Sequence, residues 1–119
     1  MTTAPDHQQT LKEFRGVVNM TPAALRHWLA TGDSKSVGMT AAGERVTDAG
    51  QAESVGHHMG QRILELKQRH QDELTLADYA DMRKVVGYVH RHMVQRPSGD
   101  IEGSRWRKSL MNWGHDPLA

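Results

Sequence analysis

Apolar residues recur along this chain at steps of three and four and almost nowhere at steps of two. Leu11, Phe14 and Val18 share one helical face and predict an amphipathic helix from about Asp6 to Val18. Thr21-Pro22 then offers a capping oxygen followed by proline at the first helical position, where a missing N–H costs nothing. The helix it opens carries Leu25, Trp28 and Leu29 and is expected to close at Gly32, read as the left-handed residue after a C-terminus. A third helix starts at Ser54 and reaches His70 through the stripe Val55, Met59, Ile63, Leu66 and His70. Near its start, Gly56 and Gly60 lie one turn apart and clear one face for the approach of another backbone. Thr75 and Asp78 form a capping box with Asp in place of Glu, opening the best helix of the chain, with Leu76, Tyr79, Met82, Val86, Val89 and Met93. Pro97, Gly99 and Asp100 break that helix, and Ser104 opens a last one carrying Trp106, Leu110 and Trp113, closed by Gly114 and Pro117.

Residues 33–54 are rich in Gly, Ser, Thr, Ala and Asp and keep neither helical nor strand period, so one long loop is expected there. Residues 1–6 are expected to be a mobile end. Strand-like alternation, internal repeats and low-complexity tracts are absent from the sequence. The expected fold is therefore all-α: a compact single-domain bundle of about five helices spanning residues 1–119, with one long loop.

The length of 119 residues leaves room for one core and none for a separate cofactor domain. The lack of cysteine removes disulfides, thiolate metal sites and thiol catalysis together, and a reducing compartment fits it easily. No apolar run nears the roughly 20 residues needed to cross a bilayer, and no basic-then-apolar leader begins the chain, so a cytoplasmic setting is expected.

With 15 basic and 14 acidic residues, the net charge of +1 gives no global pull toward nucleic acid. The charges are nevertheless unevenly placed: residues 1–82 hold 8 basic and 11 acidic side chains, residues 83–119 hold 7 and 3. On the fourth predicted helix Lys84, Tyr88, Arg91 and Gln95 share a face away from the apolar stripe, flanked by Arg83, Gly87 and His92. On the last, Arg105, Lys108 and Asn112 are expected to lie away from the two tryptophans. Two such faces side by side would make a cationic surface, which is what phosphate binding needs. The same charges also follow the helix dipole, acids at the start and bases at the end, so a plain solvated face explains the pattern equally well.

Eight histidines raise the question of metal. Adjacent or i, i+2 pairs such as His57-His58 and His90-x-His92 diverge on a helix and do not chelate one ion unaided, so no metal or cofactor is expected. Protonated histidines beside Arg91 would instead make anion binding pH-sensitive. Walker-type loops, nucleophile elbows and spaced carboxylate pairs are missing, and no enzymatic activity is expected. Trp106 and Trp113, at helical spacing with Leu110, read as core anchors rather than stacking platforms.

Taken together, these residues closely resemble a family of short domains of unknown function from bacteria and fungi, some of whose members are labelled DNA-binding proteins. The likeness runs through Phe14-Arg-Gly-Val-Val-Asn-Met-Thr21, Trp28-Leu-Ala-Thr31, Ser34-Lys-Ser-Val-Gly38 and Glu53-Ser-Val-Gly-His57. It continues through Tyr79-Ala-Asp-Met-Arg-Lys-Val-Val-Gly-Tyr-Val-His-Arg-His92, Gln95-Arg-Pro97 and Arg105-Trp-Arg-Lys-Ser-Leu-Met-Asn-Trp-Gly-His-Asp-Pro117. The chain departs from the family by extra length between Gly38 and Glu53 and by His58-Met59 where Glu-Ser is expected. A looser similarity, through Met20-Thr-Pro-Ala-Ala-Leu25 and Ser36-Val-Gly38, links it to helix-loop-helix modules of the SAP type and implicates Lys35 in DNA contact.

The resulting expectation is a protein that contacts duplex DNA mainly through phosphates, with little sequence specificity, using Arg83, Lys84, Arg91, Arg105, Arg107 and Lys108, with Lys35 in addition. The alternative is a protein-interaction or self-associating module without nucleic-acid binding, whose partner meets the glycine face at Gly56 and Gly60 or whose acidic surface meets the basic face.

Overall fold

Each α-helix among the described residues begins on a side chain that caps it. In the computed structural model, which describes residues 6–119, six helices follow in order: α1 (His7–Val17), α2 (Pro22–Leu29), α3 (Gly32–Lys35), α4 (Val55–Gln68), α5 (Leu76–Val94) and α6 (Arg105–Asn112). Their N-caps are Asp6, Thr21, Thr31, Ser54, Thr75 and Ser104, each accepting a hydrogen bond from a backbone N–H of the first turn. Such caps satisfy donors that no carbonyl of the helix can reach, at roughly 1 kcal/mol apiece. Asp6 thus belongs to an ordered helix start, and residues 1–5 lie outside the described ones.

The helices pack as an all-α bundle around one core. α1 lies along α5, burying Leu11 and Phe14 with Tyr79, Met82, Val86 and Val89. α4 contributes Met59, Ile63 and Leu66, α2 contributes Leu25 and Leu29, and α6 closes the core with Leu110 and Trp113. Leu76 departs from the expected stripe: it sits in the first turn of α5, 75% exposed, while Val85 is fully buried in its stead. The glycine pair of α4 is a packing device. A Cβ on Gly60 would stand 2.5 Å from the Asn112 carbonyl oxygen, and one on Gly56 would stand 2.8 Å from Trp113 Nε1, so α6 rests directly on this face.

Residues 33–54 hold more structure than an aperiodic segment suggests. Gly32, expected as a left-handed terminator, instead begins α3, because Thr31 Oγ1 accepts from Ser34 N–H at 3.1 Å and starts a new turn. Beyond α3, Val37 and Val46 are buried, and an isolated antiparallel bridge joins Met39 to Arg45. Gly38, at φ +96°, makes the turn into that bridge. The Gln51 side-chain oxygen accepts from the Thr47 and Asp48 N–H groups at 2.7 and 2.9 Å.

Two buried polar clusters fix the helices against one another. Asp78 accepts from Thr75 N–H, from Arg62 and from Arg69, at 3.0, 2.5 and 3.0 Å, tying α4 to the start of α5. The Thr75 N–H, with burial opposing it and the two arginines assisting, holds the Asp78 carboxyl below its ordinary range. Asn112, 1% exposed, accepts from Trp28 Nε1–H at 2.8 Å and from Ser34 Oγ–H, and donates to the Ser34 carbonyl at 3.0 Å. Its expected place on an exposed α6 face is therefore corrected: the amide is the buried joint of α2, α3 and α6.

Candidate functional site

The sequence places Lys84, Tyr88, Arg91 and Gln95 on one face of α5, and all four line a cleft of about 620 Å³. Opposite them α6 contributes Arg105, Trp106 and Ser109, and its C-cap residue Trp113 follows. The segment before α4 supplies Met39 and Arg45, and α4 itself supplies Val55. Four cations from three parts of the chain therefore surround one cavity, and no Asp or Glu is among its described lining residues.

Its shape is set where α5 meets α6. Trp106 Nε1–H donates to the His92 carbonyl at 2.8 Å, and His92 Nε2–H donates back to the Trp106 carbonyl at 3.0 Å. Around this reciprocal pair the rings of Trp113, Tyr88, His92 and Trp106 form a column, with successive centroids 4.1, 5.2 and 5.6 Å apart. The faces of these rings largely cover one another, so the tryptophans act as anchors. Burial pushes the Tyr88 hydroxyl up to about 12, with Arg91 acting in the opposite sense, so it stays protonated as a neutral donor. Burial likewise lowers His92, opposed by its bond to Trp106, so this ring adds no charge beside Arg91 near neutral pH.

Arg91 folds back along its own helix. A Cβ on Gly87 would lie 2.9 Å from Arg91 Nη1, so the glycine leaves the space over which the guanidinium rests. Arg105 is held more firmly. Its Nη2 donates to the carbonyls of Ser36 at 2.8 Å and Val46 at 2.6 Å, fastening the bridge segment to α6 while leaving the charge without a carboxylate.

The remaining predicted cations are placed differently. Arg107 makes a two-pronged pair with Asp116, Nε to Oδ1 and Nη2 to Oδ2, both at 3.0 Å. That pairing raises Arg107 and lowers Asp116 and ties the end of the chain to α6, so this cation is neutralised in place. Lys108 Nζ lies 3.7 Å from Asp33. Arg83 is exposed on α5 beside the cleft without lining it. Lys35 stands at a separate small cavity with Gln51, Glu53 and His57. There His57 Nδ1 is 2.5 Å from Glu53 Oε2 and Nε2 is 2.8 Å from the Leu29 carbonyl, so both ring nitrogens are engaged, the second of them holding α4 to α2. The sequence missed Arg45, whose only signal was a place in an aperiodic stretch. On the glycine face, α6 packs against Gly56 and Gly60 and Leu29 against Gly60, while Gly56 also lines the cleft.

Among the described residues no group of three or more His, Asp or Glu is placed to hold a metal ion, and no helix is long and apolar enough to cross a membrane. A family model described as "Protein of unknown function (DUF3140)" matches residues 13–111, and the chain belongs to that family. No curated protein and no solved structure matches the chain.

Proposed function

We propose that this member of a family of unknown function binds duplex DNA through its phosphates, with little sequence specificity, by the rim formed of Lys84, Arg91, Arg105 and Arg45. What supports the reading is the convergence of these four cations around a cleft lined by no carboxylate. Such an arrangement concentrates positive potential locally in a protein whose net charge is only +1. Lys84 and Arg91 lie two turns apart on one face of α5, and Arg91 folds back over Gly87 toward Lys84, which brings the two charges to the same side of the helix for one phosphate backbone. The DNA-binding role that the resemblance implies points the same way, and a cytoplasmic setting suits it. The role is binding, without a chemical step. Arg83 extends the rim on α5, while Arg107 is left out because Asp116 already neutralises it.

Fluorescence anisotropy against a random-sequence duplex, with single-stranded DNA and RNA alongside, tests the reading. Four phosphate contacts predict a log K against log salt slope of about −3.6, and Lys84→Ala with Arg91→Ala should flatten it by about 1.8. No binding at low salt, or an affinity untouched by the double substitution, would move the rim to an acidic protein partner.

A further inference from the structure

Phosphates resting on the rim leave the cavity beneath it unfilled. A volume of about 620 Å³ falls within the range of pockets that enclose small organic molecules, about 300–1,000 Å³. Its wall is mixed in the manner such molecules require. Met39, Val55 and the edge of the Tyr88–Trp113 stack supply apolar surface, and Ser109 and Gln95 supply polar handles. Neither Ser109 nor Gln95 has a side-chain hydrogen-bond partner among the described residues. Lys84 and Arg91 stand at the α5 side of the cavity and Arg105 at the α6 side, with no acid between them. Because the rings already stack on each other, an unpaired base would find few free faces, which favours a compact ligand over a single strand.

We infer that this cleft is a binding site for a small amphipathic organic anion: a flat or alicyclic apolar body seated against Val55, Met39 and Tyr88, with a carboxylate, sulfonate or phosphate held by Lys84 and Arg91. The charge complementarity is one-sided, so a neutral molecule of the same body gains only the apolar contacts. Resting on the DNA-binding reading, a second consequence follows. The ligand and the DNA phosphates draw on the same two cations, so an occupied cleft lowers DNA affinity, and by linkage DNA lowers ligand affinity by the same factor.

The test uses 8-anilinonaphthalene-1-sulfonate as the anionic probe and N-phenyl-1-naphthylamine as its uncharged counterpart, with the folded full chain. Saturable fluorescence enhancement by the sulfonate is expected, with the amine binding at least tenfold more weakly. Ser109→Phe fills the cavity and leaves the cations in place, so it should abolish sulfonate binding and leave DNA anisotropy within twofold of the parent. Met39→Trp does the same from the mouth, where Met39 is 55% exposed and the substitution is easily tolerated, should Ser109→Phe lower the melting temperature. Lys84→Ala with Arg91→Ala should abolish sulfonate binding and weaken DNA binding, flattening its salt slope by about 1.8. No saturable sulfonate binding, equal binding of the two probes, or enhancement unaffected by both cavity-filling substitutions overturns the ligand site whatever DNA does. Saturable, charge-dependent probe binding in a protein that fails to bind DNA upholds the ligand site and removes the DNA reading alone.

Discussion

Replacing Asn112 by Ala is expected to destabilise the protein by about 3–5 kcal/mol, because the amide serves three groups at once. Trp28 Nε1–H and Ser34 Oγ–H lose their acceptor, and the Ser34 carbonyl loses its donor. Ser34 is 0% exposed, so its hydroxyl and carbonyl cannot turn to bulk water. Leaving a buried polar group unpaired costs about 1–3 kcal/mol, and two such groups with a smaller term for half-buried Trp28 give the total. Chemical denaturation of parent and variant measures it directly. Ser34→Ala alone removes one partner while the Asn112 oxygen keeps its bond from Trp28, so it should cost only about 1 kcal/mol. A double-mutant cycle should then show coupling of at least about 0.5 kcal/mol, since the two residues share their hydrogen bonds. A loss under about 1 kcal/mol for Asn112→Ala, or strict additivity with Ser34→Ala, would refute the assignment of this amide as the joint of α2, α3 and α6.

Asp78→Asn keeps the size of the side chain but leaves Arg62 and Arg69 without its charge, and it should cost about 2–4 kcal/mol by urea denaturation, softened because Arg62 retains Asp81. The folded protein holds the Asp78 proton less tightly than the unfolded chain, so its contribution is whole above the ordinary carboxylate value of 3.8 and fades as pH falls below it. A stability profile taken downward from pH 5 should be flatter in the Asn variant. The lowered His92 acts in the same sense at higher pH: its neutral ring favours the fold above 6.5, and stability should decline as pH drops through and below that value, less so in His92→Gln. The glycines of α1 and α4 should respond oppositely to alanine. Gly16, with nothing within 4 Å of the place an alanine methyl would occupy, should gain about 0.4–1 kcal/mol, whereas Gly60→Ala forces apart Leu29 and the Asn112 carbonyl and should lower the melting temperature by several degrees. Arg107→Ala should leave DNA affinity within twofold while lowering thermal stability, and a salt slope that flattens as much as for Arg91→Ala would return Arg107 to the interface.

The helices and their starts were legible because caps and stripes are local signals. Thr75 with Asp78, Ser104, Ser54 and Thr21-Pro22 mark their helices by chemistry that acts within four residues, and all cap as the sequence implies. What stayed illegible depends on contacts distant in sequence. Nothing near Asn112 announces that Ser34, 78 residues away, will fill its valences, so a residue that helical spacing assigns to the polar face is in fact buried. The segment 33–54 lacks a period because its order comes from elsewhere: two valines reaching the interior, one bridge, and the Arg105 side chain holding the Ser36 and Val46 carbonyls. Arg45 is placed at the cleft by that arrangement and by no pattern of its own. The α5 half of the site was readable, since Lys84, Tyr88, Arg91 and Gln95 share a face wherever the helix is put, whereas the withdrawal of Arg107 required Asp116 to fold back onto it.

Fold and site are joined at α6. The face of that helix that meets α4 is admitted by Gly56 and Gly60, and its buried amide grips α2 and α3. The same eight-residue helix carries Arg105 to the rim and Trp106 to its reciprocal pair with His92. A cation set on loops would pay conformational entropy for each phosphate or ligand it met, and here most of that ordering is already done by the core. Arg105 shows the consequence most clearly, because one guanidinium both fastens the bridge segment and faces the cleft. Arg105→Lys keeps the charge but withdraws the Nη2 group that serves both carbonyls, and it separates the two duties: protection of the Val46 region from hydrogen exchange should fall, and anion affinity should fall with it where the rim depends on the clamp and be retained where charge alone matters.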